Sequence, residues 1–377
     1  MKDVFIIADN IFSPLGGATK ENFDALVHDI SAVKKHNNAF AAEPFYAALF
    51  DNGFSFDQYV DNGNYTKFES LLIASISEAL KQCDVNVKDG RTLLIISTTK
   101  GNISLLETEV YDKQLQQRIA LHTSAKLVAA HFGFVNQPLI VSNACISGSL
   151  AIIAGMRLIQ SGKYENIVVA GADVITKFIL SGFNSFQALS NGICKPFDAG
   201  RDGINLGEAA ATVVLSSVRK NADDIKVVSG AVSNDANHIS GPSRTGNELY
   251  QCIASAMNDA GLSKQDIGFI SAHGTATVYN DEMEAKAIAL AGLTTQPVNS
   301  LKAFYGHTLG AAGLVESVIS VKSLQRNTIL PTKGFKAHGV SQPIHVCKEI
   351  IYKRINNCIK TASGFGGCNA AVIFSKQ

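Results

Sequence analysis

Apolar runs of strand length alternate with segments of helical periodicity along most of the chain. Buried strands are predicted at residues 92–98, 138–144, 166–175, 211–217, 225–232, 267–273, 345–352 and 359–365. Helices are predicted at residues 68–83, in the run after Cys145, and at residues 247–261, 280–292 and 306–325. Nearly continuous apolar strands that alternate with helices are typical of sheets covered on both faces. The pattern therefore predicts an α/β fold.

Charged residues and turn formers cluster in one segment near the middle of the chain, "SSVRKNADD" at residues 216–224. This segment predicts two packed halves, residues 1–220 and residues 221–377. With 377 residues, of which 46% are hydrophobic and 17% are charged, the chain can bury a large core.

The net charge of +1 provides no broad electrostatic field for nucleic acid or an anionic membrane. The N-terminal apolar run, Val4 to Ala8, is short and flanked by Asp3 and Asp9, unlike a signal peptide. No apolar stretch reaches the roughly 20 residues of a spanning helix. GxGxxG, P-loop, GxSxG and HExxH motifs are absent from the sequence. We therefore expect a cytoplasmic protein without a membrane span, and nucleotide binding has no support.

The cysteine pattern argues against a disulfide framework and against a structural zinc site. The number of cysteines is odd, their spacings are wide, and no CxxC pair occurs. Most of them are predicted to be small buried residues of the core. They are Cys83, Cys145, Cys194, Cys252, Cys347, Cys358 and Cys368.

Cys145 differs from the others because it lies between a predicted strand and a predicted helix, in "LIVSNACISGSLAIIAGMRLI". The unsatisfied N–H groups and the dipole of a helix N-terminus favour a thiolate there. Ala144, Ser147 and Gly148 leave room for a substrate, and the backbone N–H of Cys145 is placed to help bind an oxyanion. A buried, inert cysteine is the alternative interpretation at this stage.

Two of the nine histidines lie in glycine-rich settings at the ends of predicted elements. His273 follows an apolar strand in "SAHGTATVYNDEMEA", and His307 precedes a helix in "NSLKAFYGHTLGAAGLVES", five residues after Lys302. Taken singly, a histidine in such a setting is more often structural than functional. A metal site built from Cys145, His273 and His307 is a minor alternative, because carboxylate ligands and paired-ligand spacing are missing.

A third signal lies near the C-terminus, in "TASGFGGCNAAVIF". Small residues surround Phe365 there, just after a predicted strand. Such a loop allows the backbone to approach a ligand closely, although a plain turn with a buried aromatic ring explains the pattern as well.

Together these motifs resemble the elongating β-ketoacyl-acyl carrier protein synthases, which belong to the thiolase-fold condensing enzymes. The matching segments are "NACISG", "HGTATVYNDEMEA", "NSLKAFYGHTLGAAGLVE" and "GFGGCNA", in the family's order, with "SPLG" and "KPFDAGRDGINLGEAAA" as further matches. The Cys-His-His set is that of the elongating branch. The resemblance implies a five-layered α-β-α-β-α stack of two similar halves, the first with the nucleophile and the second with the histidines.

The resemblance also implies a covalent mechanism. Cys145 would take an acyl group from a thioester, and its backbone N–H would form the oxyanion hole with that of Phe365. A malonyl thioester would then lose carbon dioxide, with His273 and His307 stabilising the enolate and handling protons. Attack on the acyl-Cys145 carbonyl would give a β-ketoacyl thioester.

Further residues take supporting roles in this resemblance. Lys302 would orient the site electrostatically, paired with Glu316, and would help to keep a histidine neutral. Thr275 and Thr277 would hydrogen-bond the phosphopantetheine arm, and Phe365 would gate the entry of malonate. Neither a metal nor a separate cofactor is implied, because acyl carrier protein carries the substrates on its phosphopantetheine.

The implied partners are acyl carrier protein, acyl and malonyl thioesters, and a second identical or related subunit, without nucleic acid. The resemblance implies fatty acid synthesis or a specialised polyene or polyketide pathway, and the chain, which is shorter than most family members, favours the specialised pathway. Leu106 would face the acyl pocket. Two alternatives stay open: a non-catalytic chain-length-factor-like subunit of the same fold, and an unrelated cysteine hydrolase.

Overall fold

The computed structural model describes residues 2–37, 40–41, 43–51, 54–60, 65–237 and 239–376. Its strands are β1 (Phe5–Phe12), β2 (Lys34–His36), β3 (Phe45–Ala48), β4 (Thr92–Ser97), β5 (Leu139–Val141), β6 (Asn166–Asp173), β7 (Leu206–Gly207), β8 (Ala209–Ser216), β9 (Ile225–Asn234), β10 (Phe269–Ser271), β11 (Pro297–Asn299), β12 (Thr328–Ile329), β13 (His345–Val346), β14 (Ile351–Tyr352), β15 (Asn357–Gly364) and β16 (Cys368–Ser375).

The α-helices are α1 (Thr19–Val27), α2 (Lys67–Leu80), α3 (Lys113–Arg118), α4 (Leu121–Phe132), α5 (Ser147–Gln160), α6 (Lys177–Ser185), α7 (Asn247–Ala260), α8 (Val278–Leu290), α9 (Lys302–Tyr305) and α10 (Ala312–Arg326). Short 3₁₀ helices lie at Ile103–Glu107, Lys264–Asp266 and Leu309–Ala311.

The large sheet repeats one topology in its two halves. Its order is β13-β11-β10-β15-β16-β9-β1-β8-β6-β4-β5. The second half has one additional strand, β13, at its edge. Apart from β13, the five strands of each half follow the order third, second, fourth, fifth, first, and the fifth strand runs antiparallel to both of its neighbours. The halves meet where β1 pairs with β9, and residue 220 lies between β8 and β9.

Three layers of helices alternate with the two halves of the sheet, which gives five layers in all. Helices α2 and α4 pack on the outer face of the first half, and α7 and α8 pack on the outer face of the second. Helices α5 and α10 lie between the halves, in a cluster that takes alternate residues from strands of both. The predicted five-layered thiolase-like stack is therefore confirmed.

The two central helices approach each other at glycines. A Cβ on Gly148 would lie 2.5 Å from the backbone nitrogen of Leu314, and one on Gly313 would lie 2.4 Å from Ser149 Oγ. Larger side chains would push the helices apart, since buried cores are close-packed. The contact matters for the site because α5 follows Cys145 and α10 carries Glu316.

Most predicted elements are present with shifted ends, and two predictions are wrong in part. The strand predicted at residues 345–352 is two short strands, because Lys348 and Glu349 between them are exposed rather than packed. The helix predicted from residue 306 becomes α-helical only at Ala312, since Gly306 has a φ of 66° and His307 forms a β-bridge with Leu206. Among the helices in the described residues, none is long and apolar enough to cross a membrane.

Candidate active site

Residues 143–147 form a turn that connects β5 to α5 and carries Cys145, the predicted nucleophile, and we call it the nucleophile turn. Ala144 has a φ of 44°, which an L-residue adopts only when the surroundings hold it there. The Ser147 hydroxyl holds this turn, since it accepts from the backbone N–H of Asn143 at 2.8 Å and donates to the carbonyl of Ala144 at 2.6 Å. Cys145 therefore comes just before the first turn of α5, as the sequence predicts, and its side chain is 9% exposed.

The protonation state of Cys145 differs from the sequence-based expectation. Burial raises the pKa of the thiol to about 12, and the neighbouring Cys368 adds to this shift, while Lys302 opposes it. The desolvation of a charge exceeds what the start of α5 offers. Cys145 is therefore a thiol at rest, and a role as nucleophile would require a base that takes its proton.

The loop that carries Phe365 lies directly against the nucleophile turn. A Cβ on Gly364 would come within 3.0 Å of the backbone nitrogen of Cys145 and within 2.9 Å of Cys368 Sγ. Gly367 is also required, because its φ is 77° and a Cβ there would lie 2.1 Å from the carbonyl oxygen of Asp235. The backbone of this loop and that of Cys145 thus line one edge of the site.

Buried hydrogen bonds fix the backbone of His273 at the end of β10. The Glu284 carboxylate accepts from the N–H of His273 at 2.8 Å and from the N–H of Gly274 at 2.7 Å. It also accepts from the Thr361 hydroxyl at 2.6 Å. Glu284 itself is completely buried. Because Glu284 lies on α8, this helix determines where the imidazole of His273 lies.

His307 is held in an extended segment between α9 and the 3₁₀ helix at Leu309–Ala311. Its N–H donates to the carbonyl of Asn205 at 2.7 Å, and its carbonyl accepts from the N–H of Gly207 at 3.0 Å. Gly306 allows this approach, since a Cβ there would lie 2.3 Å from the carbonyl oxygen of Leu206. The first half of the chain therefore places a histidine of the second.

The structure brings Cys145, His273 and His307 together. Their sulfur and ring nitrogen atoms lie within 4.8 Å of one another, and the two rings meet edge to face with centroids 5.2 Å apart. Both Nδ1 atoms are buried without a hydrogen-bond partner among the described residues. Burial lowers the pKa of both imidazoles well below the usual value, and the Lys302 ammonium lowers it further. Both rings are therefore neutral at physiological pH.

A buried charge network lies behind the two histidines. Lys302 is fully buried, forms an ion pair with Glu316, and donates to the carbonyl of His273 at 2.9 Å. Lys360 is also fully buried, and its ammonium lies 2.8 Å from the other carboxylate oxygen of Glu316. Two ammonium groups beside the histidines disfavour a divalent cation, so we do not interpret the three-residue cluster as a metal site.

A cavity of about 350 Å³ leads from the surface to Cys145 and the two histidines. Thr275 and Thr277 line it, and their hydroxyl oxygens lie 2.9 Å apart. Phe365 lies at its wall with 40% of its surface exposed. The Phe365 ring stacks on Phe183 at 5.8 Å and meets Phe186 edge to face at 5.5 Å. Leu106 lies in the 3₁₀ helix at Ile103–Glu107 and is 42% exposed, and it is not among the described residues that line the cavity.

Sequence reasoning missed Glu284, Lys360 and the aromatic pair Phe183 and Phe186. A signal existed for Lys360, since a lysine inside the apolar strand "NCIKTASG" must find a buried partner. Glu284 lies three residues after Asp281 on one helix face, and two buried acids on one face indicate backbone donors nearby. Asp281 accepts from the N–H groups of Thr275 and Phe197 at 2.9 and 2.7 Å.

Comparisons with known proteins identify the family. Residues 1–221 match the model of the β-ketoacyl synthase N-terminal domain, and residues 225–336 match that of the β-ketoacyl synthase C-terminal domain. The chain belongs to the β-ketoacyl synthase family. It is therefore placed among condensing enzymes of the acyltransferase type.

Full-length relatives support this assignment. The chain is 28% identical to 3-oxoacyl-[acyl-carrier-protein] synthase 2 of Vibrio cholerae, over 99% of both chains. It is also 28% identical to 3-oxoacyl-[acyl-carrier-protein] synthase I, chloroplastic, of Hordeum vulgare, over 99% of this chain and 89% of the relative.

Solved structures have the same fold. The ishigamide ketosynthase/chain length factor matches with a TM-score of 0.91 and 23% identity, over 100% of this chain and 99% of that one. The ketosynthase ApeO in complex with its chain length factor ApeC from Xenorhabdus doucetiae matches with a TM-score of 0.89 and 24% identity, over 99% and 98% of the two chains.

Proposed function

We propose that this β-ketoacyl synthase condenses an acyl group held on Cys145 with malonyl-acyl carrier protein, with loss of carbon dioxide. The observation that carries the proposal is the group of one thiol and two neutral imidazoles within 4.8 Å at the end of a cavity. A hydrolase or a thiol-transfer site needs one cysteine and one histidine. The second imidazole suits a reaction that must bind a carbonyl and later a developing enolate.

In the first half-reaction Cys145 Sγ attacks the acyl thioester carbonyl while a neutral imidazole takes the thiol proton. The backbone N–H groups of Cys145 and Phe365 stabilise the oxyanion, and the carrier thiolate leaves with that proton. Both pKa shifts suit this step, because burial keeps the thiol protonated and the imidazoles neutral until substrate arrives.

In the second half-reaction the malonyl thioester carbonyl accepts hydrogen bonds from His273 and His307. The C–C bond to the carboxylate breaks, carbon dioxide leaves, and the electron pair forms an enolate that the two imidazoles stabilise. The enolate carbon attacks the acyl-Cys145 carbonyl, and a β-ketoacyl thioester forms as the thiolate of Cys145 leaves. The thiolate then takes up one proton from water, which restores the resting thiol. Lys302, paired with Glu316, maintains the neutral imidazoles by its charge.

Thr275 and Thr277 are the groups that we assign to the phosphopantetheine arm, because both hydroxyls line the cavity. Phe365 is assigned to the gate, since its ring contacts the rings of Phe183 and Phe186 at the wall and its loop adjoins Cys145. Acyl carrier protein would present both substrates, and no metal or further cofactor takes part in the proposed reaction. The proposal keeps the cytoplasmic location expected from the sequence.

A second subunit, identical or related, is also part of the proposal. Strand β5 forms one edge of the large sheet, and Leu139 on it is 44% exposed. An unpaired strand edge with apolar side chains is suited to pairing with another chain. The similar structures named as a ketosynthase with a chain length factor support such a pair. Analytical ultracentrifugation of the purified chain would distinguish a homodimer from a monomer that needs a partner.

One experiment separates the proposed enzyme from the alternatives. The protein is incubated with an acyl-carrier thioester, the acyl group on Cys145 is sought by mass spectrometry, and malonyl-carrier protein is then added. Carbon dioxide and a β-keto product support the proposal, and Cys145→Ala should abolish both. Absence of acylation would favour the chain-length-factor-like subunit, which has no use for a nucleophile. Acylation followed only by hydrolysis would favour a hydrolase.

A further inference from the structure

The Lys360 ammonium is enclosed by oxygen atoms that belong to the backbone supporting His273. Its Nζ donates to the carbonyls of Ser271 and Ala272, each at 3.1 Å, and to the carbonyl of Thr361 at 2.5 Å. Glu316 Oε2 lies 2.8 Å away. An ammonium has three donors, and all three hydrogen bonds go to these carbonyls, while Glu316 Oε2 makes an ion pair but no hydrogen bond. The enclosure is therefore a complete cage for a cation.

The same cage continues into the contacts of Lys302. The carbonyls of Ser271 and Ala272 point to Lys360, while the carbonyl of the next residue, His273, accepts from Lys302. Consecutive carbonyls at the end of β10 are thus held by two ammonium groups that share the carboxylate of Glu316. Without Lys360, the carbonyls of Ser271 and Ala272 would lose a charged donor. Glu316 Oε2, which has no hydrogen-bond partner among the described residues, would also lose the ammonium that lies 2.8 Å away, and both losses are unfavourable in a buried site.

The charges around the cage balance. The charged and titratable groups that face it come from different elements: Lys360 on β15, Lys302 on α9, Glu316 on α10, Glu284 on α8, and the imidazoles of His273 and His307. Burial lowers the pKa of Lys360, and the carboxylates of Glu316 and Glu284 oppose this shift. With both lysines protonated, two ammonium groups compensate two carboxylates, so the site is neutral when both imidazoles are neutral. Removing one ammonium would leave a net negative charge, which favours protonation of an imidazole.

We propose that Lys360 is a positioning residue: a built-in cation whose ammonium fixes the carbonyls before His273 and keeps the charge at the two histidines balanced. It touches no reacting atom and acts through His273 and Glu316. This inference rests on the proposed function, because its readout is the decarboxylation step that the two histidines serve.

The test replaces the tethered cation by a free one. In Lys360→Ala the missing atoms are those of propylammonium, and in Lys360→Met a side chain of similar size fills the space without a charge. Malonyl-carrier protein decarboxylation is measured for both variants and the wild type in tetramethylammonium, ammonium and n-propylammonium chloride at equal ionic strength. Tetramethylammonium has no N–H group, so it cannot donate hydrogen bonds, and it serves as the control salt.

In tetramethylammonium chloride we expect both variants to lose about 10²-fold in decarboxylation rate, the scale of a small misplacement of a catalytic group. Ammonium or propylammonium should restore part of this loss in Lys360→Ala and none in Lys360→Met, and the wild type should respond to neither. The acidic limb of the rate-pH profile should move to higher pH in Lys360→Met, since the histidine pKa rises toward its usual value. A purely structural lysine would not produce salt-specific rescue or this shift.

Unchanged decarboxylation in a folded Lys360→Met protein would overturn the inference, and so would equal recovery in all three salts. Failure of both variants to fold would overturn it too, because the ammonium would then serve folding rather than the placement of His273. Absence of decarboxylation in the wild type would instead remove the proposed function, which keeps the two failures apart.

Discussion

Gly364→Ala places one methyl group between the nucleophile turn and the loop that carries Phe365. The new Cβ would lie 3.0 Å from the backbone nitrogen of Cys145, 2.9 Å from Cys368 Sγ and 3.1 Å from the Cβ of Ala144. The Cys368 side chain can rotate, but the other two contacts involve the turn itself. No positive φ is needed at Gly364, so the effect is steric. We expect the two backbone segments to separate by a few tenths of an ångström.

The free energy of unfolding should fall by about 1–3 kcal/mol, the usual cost of an extra buried carbon. Acylation of Cys145 should slow by about 10²–10³-fold, as for the loss of one oxyanion donor. Decarboxylation of malonyl-carrier protein should change far less, because His273 and His307 are held by Glu284 and Asn205 rather than by this loop.

The assay is quenched-flow mass spectrometry of acyl-Cys145 together with release of labelled carbon dioxide, with urea denaturation for stability. Gly90→Ala is the matched control, since nothing lies within 4 Å of a Cβ there. The reasoning is refuted if Gly364→Ala acylates at the wild-type rate, or if both half-reactions slow equally in a protein of unchanged stability.

Three further predictions concern protonation and buried charge. The rate of Cys145 alkylation by iodoacetamide should rise about tenfold per pH unit, without a plateau up to about pH 10. The reason is that the pKa of the Cys145 thiol is raised to about 12 and only the thiolate reacts. A plateau near the ordinary cysteine pKa of about 8.5 would contradict this prediction. Glu284→Gln should lower the free energy of unfolding by about 1–3 kcal/mol in urea titrations, since an amide nitrogen then faces a buried donor, whereas the exposed Glu349→Gln should have almost no effect. Arg118→Met should lower the free energy of unfolding by about 3–5 kcal/mol, because it leaves the fully buried Glu69 carboxylate without its two guanidinium contacts at 2.5 Å. Arg91→Met removes an exposed ion pair and should lower it by about 1 kcal/mol or less. Equal losses in the two variants would argue against this reasoning.

The sequence by itself determined the α/β class of the fold, while its resemblance to the β-ketoacyl synthases implied the five layers and the residues of the candidate site. Long apolar strands alternating with helices can bury both faces of a sheet only in a layered α/β arrangement, so that architecture follows from local pattern. The motifs around Cys145, His273, His307 and Phe365 carry recognisable local chemistry, since each joins a reactive or aromatic side chain to small residues at an element end.

Only the tertiary structure decided how these groups are charged and held. The pattern at Cys145 predicts a stabilised thiolate, but burial by both halves of the chain raises the pKa of the thiol. A short segment of sequence does not show which distant residues will bury it. The backbone of His307 is fixed by Asn205 and Gly207, about a hundred residues earlier in the chain. Lys360 stands alone in the sequence, and only the packing of β15 beside β10 and α10 encloses its ammonium in oxygen atoms. Electrostatics of this kind depends on long-range contacts, and these exist only once the two halves have folded together.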